Sequence, residues 1–272
     1  MADLSRLCIH TITTRPWNIE LAVTYFADAG VHGISVWRDA LEGRDADSVR
    51  HLIERAGLSV TSLVRGGFFT AGSAAERLHA IEDNRRALEE CEAVGAPLLV
   101  LVCGATPGQT VADNVDQIQE GIEAILEQAE GSGIRLAVEP LHPMYADTRS
   151  AIATVKMAND LCDRIDSPMV GVTIDVFHCW WDPDLQNEIT RAGAAGRLFS
   201  YHVCDWKTDM SDMLNDRGLM GEGVIDIPRI TSWMDDAGFD GAIEVEIFST
   251  RWWAEDQNSF LSEIIDSYTR CV

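Results

Sequence analysis

Eight short β-rich runs, each followed by a longer segment with helical spacing, are the feature that most restricts the folds open to this 272-residue chain. The runs are 7–12 (LCIHTI), 33–37 (GISVW), 58–64 (LSVTSLV), 97–102 (PLLVLV), 134–139 (IRLAVE), 170–175 (VGVTID), 198–203 (LFSYHV) and 242–248 (AIEVEIF). Between them lie stretches such as AERLHAIEDNRRALEECEAVGA and NVDQIQEGIEAILEQAEGSG. Their apolar residues recur every three or four positions, and glycine stands where a helix would end. Eight such units predict an α/β fold, a (β/α)8 TIM barrel. A doubly wound nucleotide-binding sheet would usually carry a glycine-rich turn after its first strand, whereas the first run here leads into TTRPWNIE.

No Pro/Gly/Ser-rich linker or charge block divides the sequence, so residues 1–272 are expected to form a single domain. The first residues lack an apolar run of signal-peptide length, and no segment approaches the ~20 apolar residues that span a bilayer. A soluble, cytoplasmic protein with no membrane partner is the expectation. Seven scattered cysteines without a C-x-x-C pair indicate reduced thiols rather than a disulfide framework or structural zinc. The 44 acidic residues outnumber 21 basic ones, and a formal charge of −23 would repel a polyanion. Nucleic acid is therefore not an expected partner. A small molecule is, and a homo-oligomer is compatible with the aromatic-rich loops.

Active sites of (β/α)8 barrels lie at the C-terminal ends of the strands, which here are crowded with polar groups. The fifth run ends in Glu139, the sixth in Asp175, the seventh delivers His202 and Asp205, and the eighth carries Glu246. Glu139, Asp175, His202 and Glu246 are separated by 36, 27 and 44 residues, each close to one β/α unit of roughly 30 with allowance for insertions. Three carboxylates and one imidazole form an oxygen-rich donor set. It suits one divalent cation, with Mn²⁺ the first choice and Mg²⁺, Co²⁺ or Zn²⁺ as alternatives.

In order, the segments AVEP, TIDVFH, YHVCDW, RGLMGEGVIDI and IEVEIF resemble the sugar phosphate isomerase/epimerase family of xylose-isomerase-like barrels. The resemblance spans nearly the whole chain. It implies that Glu139, Asp175, His202 and Glu246 bind one divalent metal and that Glu139 and Glu246 are the catalytic residues flanking the reacting carbons. It also implies that His178 and Arg217 hold substrate oxygens, although the spacing from His202 to Arg217 departs from that of the best-studied ketose epimerases.

The chemistry can be derived beside the resemblance. A cation chelating a carbonyl and its neighbouring hydroxyl stabilises the enediolate left when the intervening carbon loses its proton. Two facing carboxylates can then move that proton. Return to the opposite face epimerises the centre, and return to the neighbouring carbon isomerises an aldose and a ketose. The expected activity is thus a metal-dependent isomerase or epimerase of a small sugar, keto sugar or polyol derivative. A lyase or dehydratase acting on a keto-inositol or 3-oxo sugar through the same intermediate is the alternative.

Further candidates for substrate contact are His142, just after Glu139, and Asp205 and Glu222 in the long segment after the seventh run. In that segment Asp226 and Pro228 are expected to start the next helix. Arg38 and Arg65 follow the second and third runs and His10 stands at the first strand's end, where a polyol or anion contact competes with buried salt-bridging. One ring of each pair, Trp180-Trp181 and Trp252-Trp253, is expected near the site. With no lysine near the mouth and no recognisable phosphate loop, the sequence argues against a phosphate ester as substrate.

Overall fold

In the computed structural model, which describes residues 4–272, eight parallel strands close into a barrel. They are β1 (Leu7–His10), β2 (Gly33–Trp37), β3 (Ser59–Gly67), β4 (Leu98–Val102), β5 (Arg135–Val138), β6 (Val170–Asp175), β7 (Leu198–Val203) and β8 (Ile243–Val245). Each strand pairs with the next, and β8 pairs with β1. The helices are α1 (Ile19–Asp28), α2 (Ala46–Arg55), α3 (Ala74–Val94), α4 (Val111–Ser132), α5 (Val155–Ile165), α6 (Val176–Cys179), α7 (Leu185–Ala194), α8 (Ile227–Asp236), α9 (Thr250–Ala254) and α10 (Gln257–Cys271). No described helix is long and apolar enough to cross a membrane. All seven cysteines are free, and all but Cys271 are buried.

The helix ends follow from their sequences. Ser73 and Glu76 close a reciprocal capping box on α3, and Asp226 accepts the Arg229 N–H at the start of α8, with Pro228 in its first turn.

Strands β1 and β8 stop short of their runs in the sequence. Thr13 Oγ donates to the Val245 carbonyl and accepts from the Ile247 N–H, so a side chain replaces the ladder partner where β1 and β8 would continue. Conversely, β3 runs on to Gly67, where φ is 103° and a Cβ would sit 2.0 Å from the Val102 carbonyl oxygen. Only glycine fits there. The Asn84 side chain of α3 pairs with both the N–H and the carbonyl of Gly67, at 2.6 and 2.7 Å.

Alternation along the strands positions the site. Ile174, Tyr201, Val203, Val245 and Val138 pack outward into the main core with helix residues such as Phe26, Ile122 and Ile264. Since successive strand residues point to opposite faces, Asp175, His202, Glu244, Glu246 and Glu139 point into the barrel. Register sets them side by side: Asp175 pairs with His202 across β6 and β7, and His202 with Glu244 across β7 and β8. Part of the barrel interior is consequently polar. Ser35, Ser62, Ser200, Thr173 and Glu244 are all buried, alongside a small apolar group that includes Val64, Val100 and Phe199.

Candidate active site

At the C-terminal mouth, Glu139, Asp175, His202 and Glu246 each offer a donor atom, and the four atoms lie within 4.8 Å of one another. All four side chains are buried. Asp175 is held by the start of α6, where its Oδ1 accepts the Phe177 N–H at 2.8 Å, leaving Oδ2 directed into the mouth. His202 Nδ1 and Glu139 Oε1 approach to 3.1 Å, yet among the described residues neither has a hydrogen-bond partner, and His202 Nε2 has none either. Buried polar atoms in native proteins are nearly always satisfied, so two orphaned atoms from different residues facing each other here, His202 Nδ1 and Glu139 Oε1, fit ligands that share a cation.

The electrostatics carry the same message. Burial opposes ionisation of His202, but the contact with Glu139 and the charges of Glu246 and Glu244 outweigh it and raise its pKa to about 10. Burial and the neighbouring Glu246 and Glu139 push Asp175 up despite the opposing Arg217. Glu246 is held well below its usual range, because His10 and Arg217 outweigh its burial. Buried carboxylates in excess need compensating charge, from imidazoles that take up protons or from a dication.

Arg217 supplies part of that charge. Its Nη1 lies 2.9 Å from Glu246 Oε2 and 3.2 Å from Asp175 Oδ2, and its guanidinium is sandwiched between Phe177 and Phe248 at 4.4 and 5.0 Å. His178, on α6, is buried and kept neutral by desolvation and by Arg217. Its Nε2 lies 3.2 Å from Arg217 Nη2 and 3.6 Å from Asp175 Oδ2, while its Nδ1 meets the His142 N–H at 3.3 Å. A neutral imidazole accepts at one nitrogen only, so it satisfies one of those two donors. Glu139, His178, Arg217 and Glu246 line a small inner cavity that shares Trp37, Arg149, Leu214 and Phe248 with an outer cavity of about 520 Å³.

The family profile of xylose isomerase-like TIM barrels matches residues 23–264. The chain belongs to this family. A crystal structure of a protein from Sinorhizobium meliloti 1021 is 41% identical and superposes with a TM-score of 0.95, covering 99% of each chain. The IolI protein, in a crystal structure with a bound zinc atom, shares the fold at 19% identity and TM-score 0.85, over 98% of each chain. An inosose isomerase of Bacillus licheniformis is 24% identical over 177 residues, 64% of this chain. The match spans 62% of that relative's own length.

In this xylose isomerase-like barrel several expected substrate contacts lie elsewhere. Asp205 is wholly buried, and its carboxylate accepts four backbone N–H groups, from Trp206, Ile225, Gly221 and Gly223, at 2.8–3.0 Å. It organises the loop that carries Arg217 and has no lone pair directed at the cavity. Gly223 is needed for this wrapping, since a Cβ there would come within 2.5 Å of Asp205 Oδ1. Glu222 is exposed, accepts the Leu219 N–H and faces Arg251, which makes it a loop residue. The His142 ring accepts the Met144 N–H and packs on Trp206 and Trp181 instead of lining the cavity, so it reaches the site through its backbone bond to His178. Arg38 is bound by Asp83 and Glu90. Of the tryptophan pairs, Trp181 donates to the His178 carbonyl and Trp253 packs on the cavity-lining Phe248.

Two residues went unnoticed in the sequence. Glu244 lies beneath the four donors, where it accepts from Ser62, Ser200 and Thr61, contacts His10 Nε2 at 3.1 Å, and lies 4.0 Å from His202 Nε2. His10 bridges it to Glu246, 3.2 Å away on the other ring nitrogen. Glu244 lies on β8 and Glu246 directly after it, a two-residue spacing that puts both inside the barrel. The other is Arg149, whose loop position gave no signal.

Proposed function

We propose that this chain is a divalent-metal-dependent isomerase or epimerase of a small sugar, keto sugar or polyol derivative. The observation that carries the reading is the convergence of Glu139, Asp175, His202 and Glu246 on one point, with the facing His202 Nδ1 and Glu139 Oε1 unpartnered among the described residues. These four residues would hold the cation, and their oxygen-rich chemistry favours Mn²⁺ while admitting Zn²⁺, the metal in the IolI structure. When bound, the cation supplies electrophilic stabilisation of the negative charge that develops as a carbon beside a carbonyl loses its proton.

The chain's own residues supply the rest. Glu139 and Glu246 reach the cavity from β5 and β8, which are not adjacent in the barrel, so they can address opposite faces of a carbon held between them. One carboxylate takes the proton from the carbon and the other, protonated, delivers one to the opposite face, which inverts the centre. Delivery to the neighbouring carbon instead interconverts aldose and ketose. Neutral His178 and the fixed guanidinium of Arg217 are placed to orient substrate oxygens, and the rings of Trp37, Phe248 and Tyr145 restrict water. The likeness to inosose isomerase supports a polyol-derived ketone among the substrates.

The test is a set of keto sugars, keto-inositols and 3-oxo glycosides incubated in D₂O with Mn²⁺-loaded protein and followed by NMR. Deuterium should enter at a carbon next to the carbonyl, and Glu139→Gln and Glu246→Gln should abolish its entry. Metal binding without exchange on any substrate would leave a sugar-binding barrel, and release of water with exchange would mark a lyase.

A further inference from the structure

The outer cavity above the reacting centre is lined by guanidinium groups. Arg15, Arg38, Arg65 and Arg149 face it, with exposed Asp39 as the carboxylate among its lining residues. Arg38 is neutralised from behind, with Asp83 and Glu90 at 2.9 and 2.6 Å. Arg65 and Arg149 are different. Both are half-buried, and neither side chain has a hydrogen bond or ion pair among the described residues.

Carboxylates are plentiful in this chain, at 44 against 21 basic residues, so leaving these two arginines unmatched is a property of the place rather than a shortage of partners. The arrangement is unfavourable as it stands. Burial, followed by the charges of Arg149 and Arg38, lowers the pKa of Arg65. Each guanidinium lies near an aromatic ring, Arg65 at 4.3 Å from Phe68 and Arg149 at 5.6 Å from Tyr145, and such stacking leaves the N–H edges free to donate. Arg149 also lines the inner cavity beside Glu139, His178 and Arg217, so a molecule seated at the reacting centre can extend directly to it.

We propose that Arg65 and Arg149 form an anion subsite, and that the substrate is a sugar derivative bearing a carboxylate or phosphate group remote from the reacting carbons. Such a group accepts paired N–H donors from guanidinium and relieves the repulsion between the two cations. This deepens the isomerase reading and rests on it for the word substrate, while binding of the anion does not depend on turnover. The sequence argued against a phosphate ester because it lacked a lysine at the mouth. Arginines brought together from the end of β3 and the loop after β5 fill that role.

The experiment measures binding by calorimetry to Mn²⁺-loaded protein, for inorganic phosphate and for two matched pairs. These are D-fructose with D-fructose 6-phosphate, and D-tagatose with D-tagaturonate. The anionic member of at least one pair should bind about tenfold or more tighter than its neutral partner, and that preference should shrink by a similar factor in Arg65→Gln and in Arg149→Gln. The pair that responds identifies phosphate or carboxylate. Equal affinity for neutral and anionic members in the wild-type protein would overturn the subsite, with no variant needed. So would equal loss for both members in the variants. Deuterium exchange is read on the same probes. An arginine-dependent preference without exchange keeps the subsite and removes the isomerase reading, and exchange without any preference does the reverse.

Discussion

His202 Nδ1 lies 3.1 Å from Glu139 Oε1, close enough for a hydrogen bond but aligned so that both atoms are left without one. Two ligands aimed at a shared third atom have this relationship. A structure of Mn²⁺-soaked crystals should show one cation bound by Glu139, Asp175, His202 and Glu246 at about 2.0–2.3 Å. At a free metal concentration 100 times Kd, stability should rise by about 2.7 kcal/mol, visible as a higher Tm that EDTA reverses. A Tm indifferent to Mn²⁺, Co²⁺ and Zn²⁺ would contradict the site.

Asp175 uses one oxygen to accept the Phe177 N–H and points the other into the mouth. Asp175→Asn keeps an acceptor for that bond while removing the charge. Its activity should fall and partly return at high Mn²⁺. No recovery at any concentration would mean that Asp175 does more than hold the ion.

His178 sits beside Asp175 and Arg217 without being one of the four converging donors. His178→Ala should retain the metal and lose about 1.5–3 kcal/mol of transition-state stabilisation, read from kcat/KM. Normal kinetics with a lowered Tm would reduce it to a packing residue.

Glu244 supports His10 and approaches His202 from below. Glu244→Gln leaves every expected ligand in place but removes the carboxylate that holds His10 against the ligand Glu246, so metal affinity should fall about 10–100-fold, the usual effect of removing a partner that orients a ligand. Calorimetric titration with Mn²⁺ decides the matter, because a purely structural Glu244 would lower Tm and leave affinity alone.

Asp205→Ala should orphan four backbone donors and destabilise the fold by about 3 kcal/mol or more. The loop carrying Arg217 should loosen, raising KM, while the cation still binds. A KM equal to that of the wild-type protein would show that the loop is held by other contacts.

Much of this arrangement was legible in the sequence. Alternation in VGVTID and LFSYHV fixes which residues face the helices, and so which face the interior. Asp175 and His202 therefore face inward wherever the strands end. The succession of eight strand and helix units fixed the barrel, and barrel geometry placed Glu139, Asp175, His202 and Glu246 at one mouth. Strand periodicity and chain order are local properties, and they suffice for residues on strands.

Loop residues were another matter. Asp205 and Glu222 have the composition of substrate ligands, but the 217–225 loop folds back and spends their oxygens on its own backbone. His142 turns to Trp206 for the same kind of reason. Glu244 has partners on β1, β3 and β7, whose meeting exists only once the barrel closes. Arg65 and Arg149 face one cavity because the loop after β5 is bonded to Gly104, just past the end of β4, the strand next to β3. Sequence alone determined the barrel and its four converging donors, because a two-residue repeat and the order of strands dictate them. Only the tertiary structure decided which loop carboxylates are consumed by backbone, which arginines are left unpaired and what supports the donors from beneath, because those outcomes depend on contacts between segments far apart in the chain.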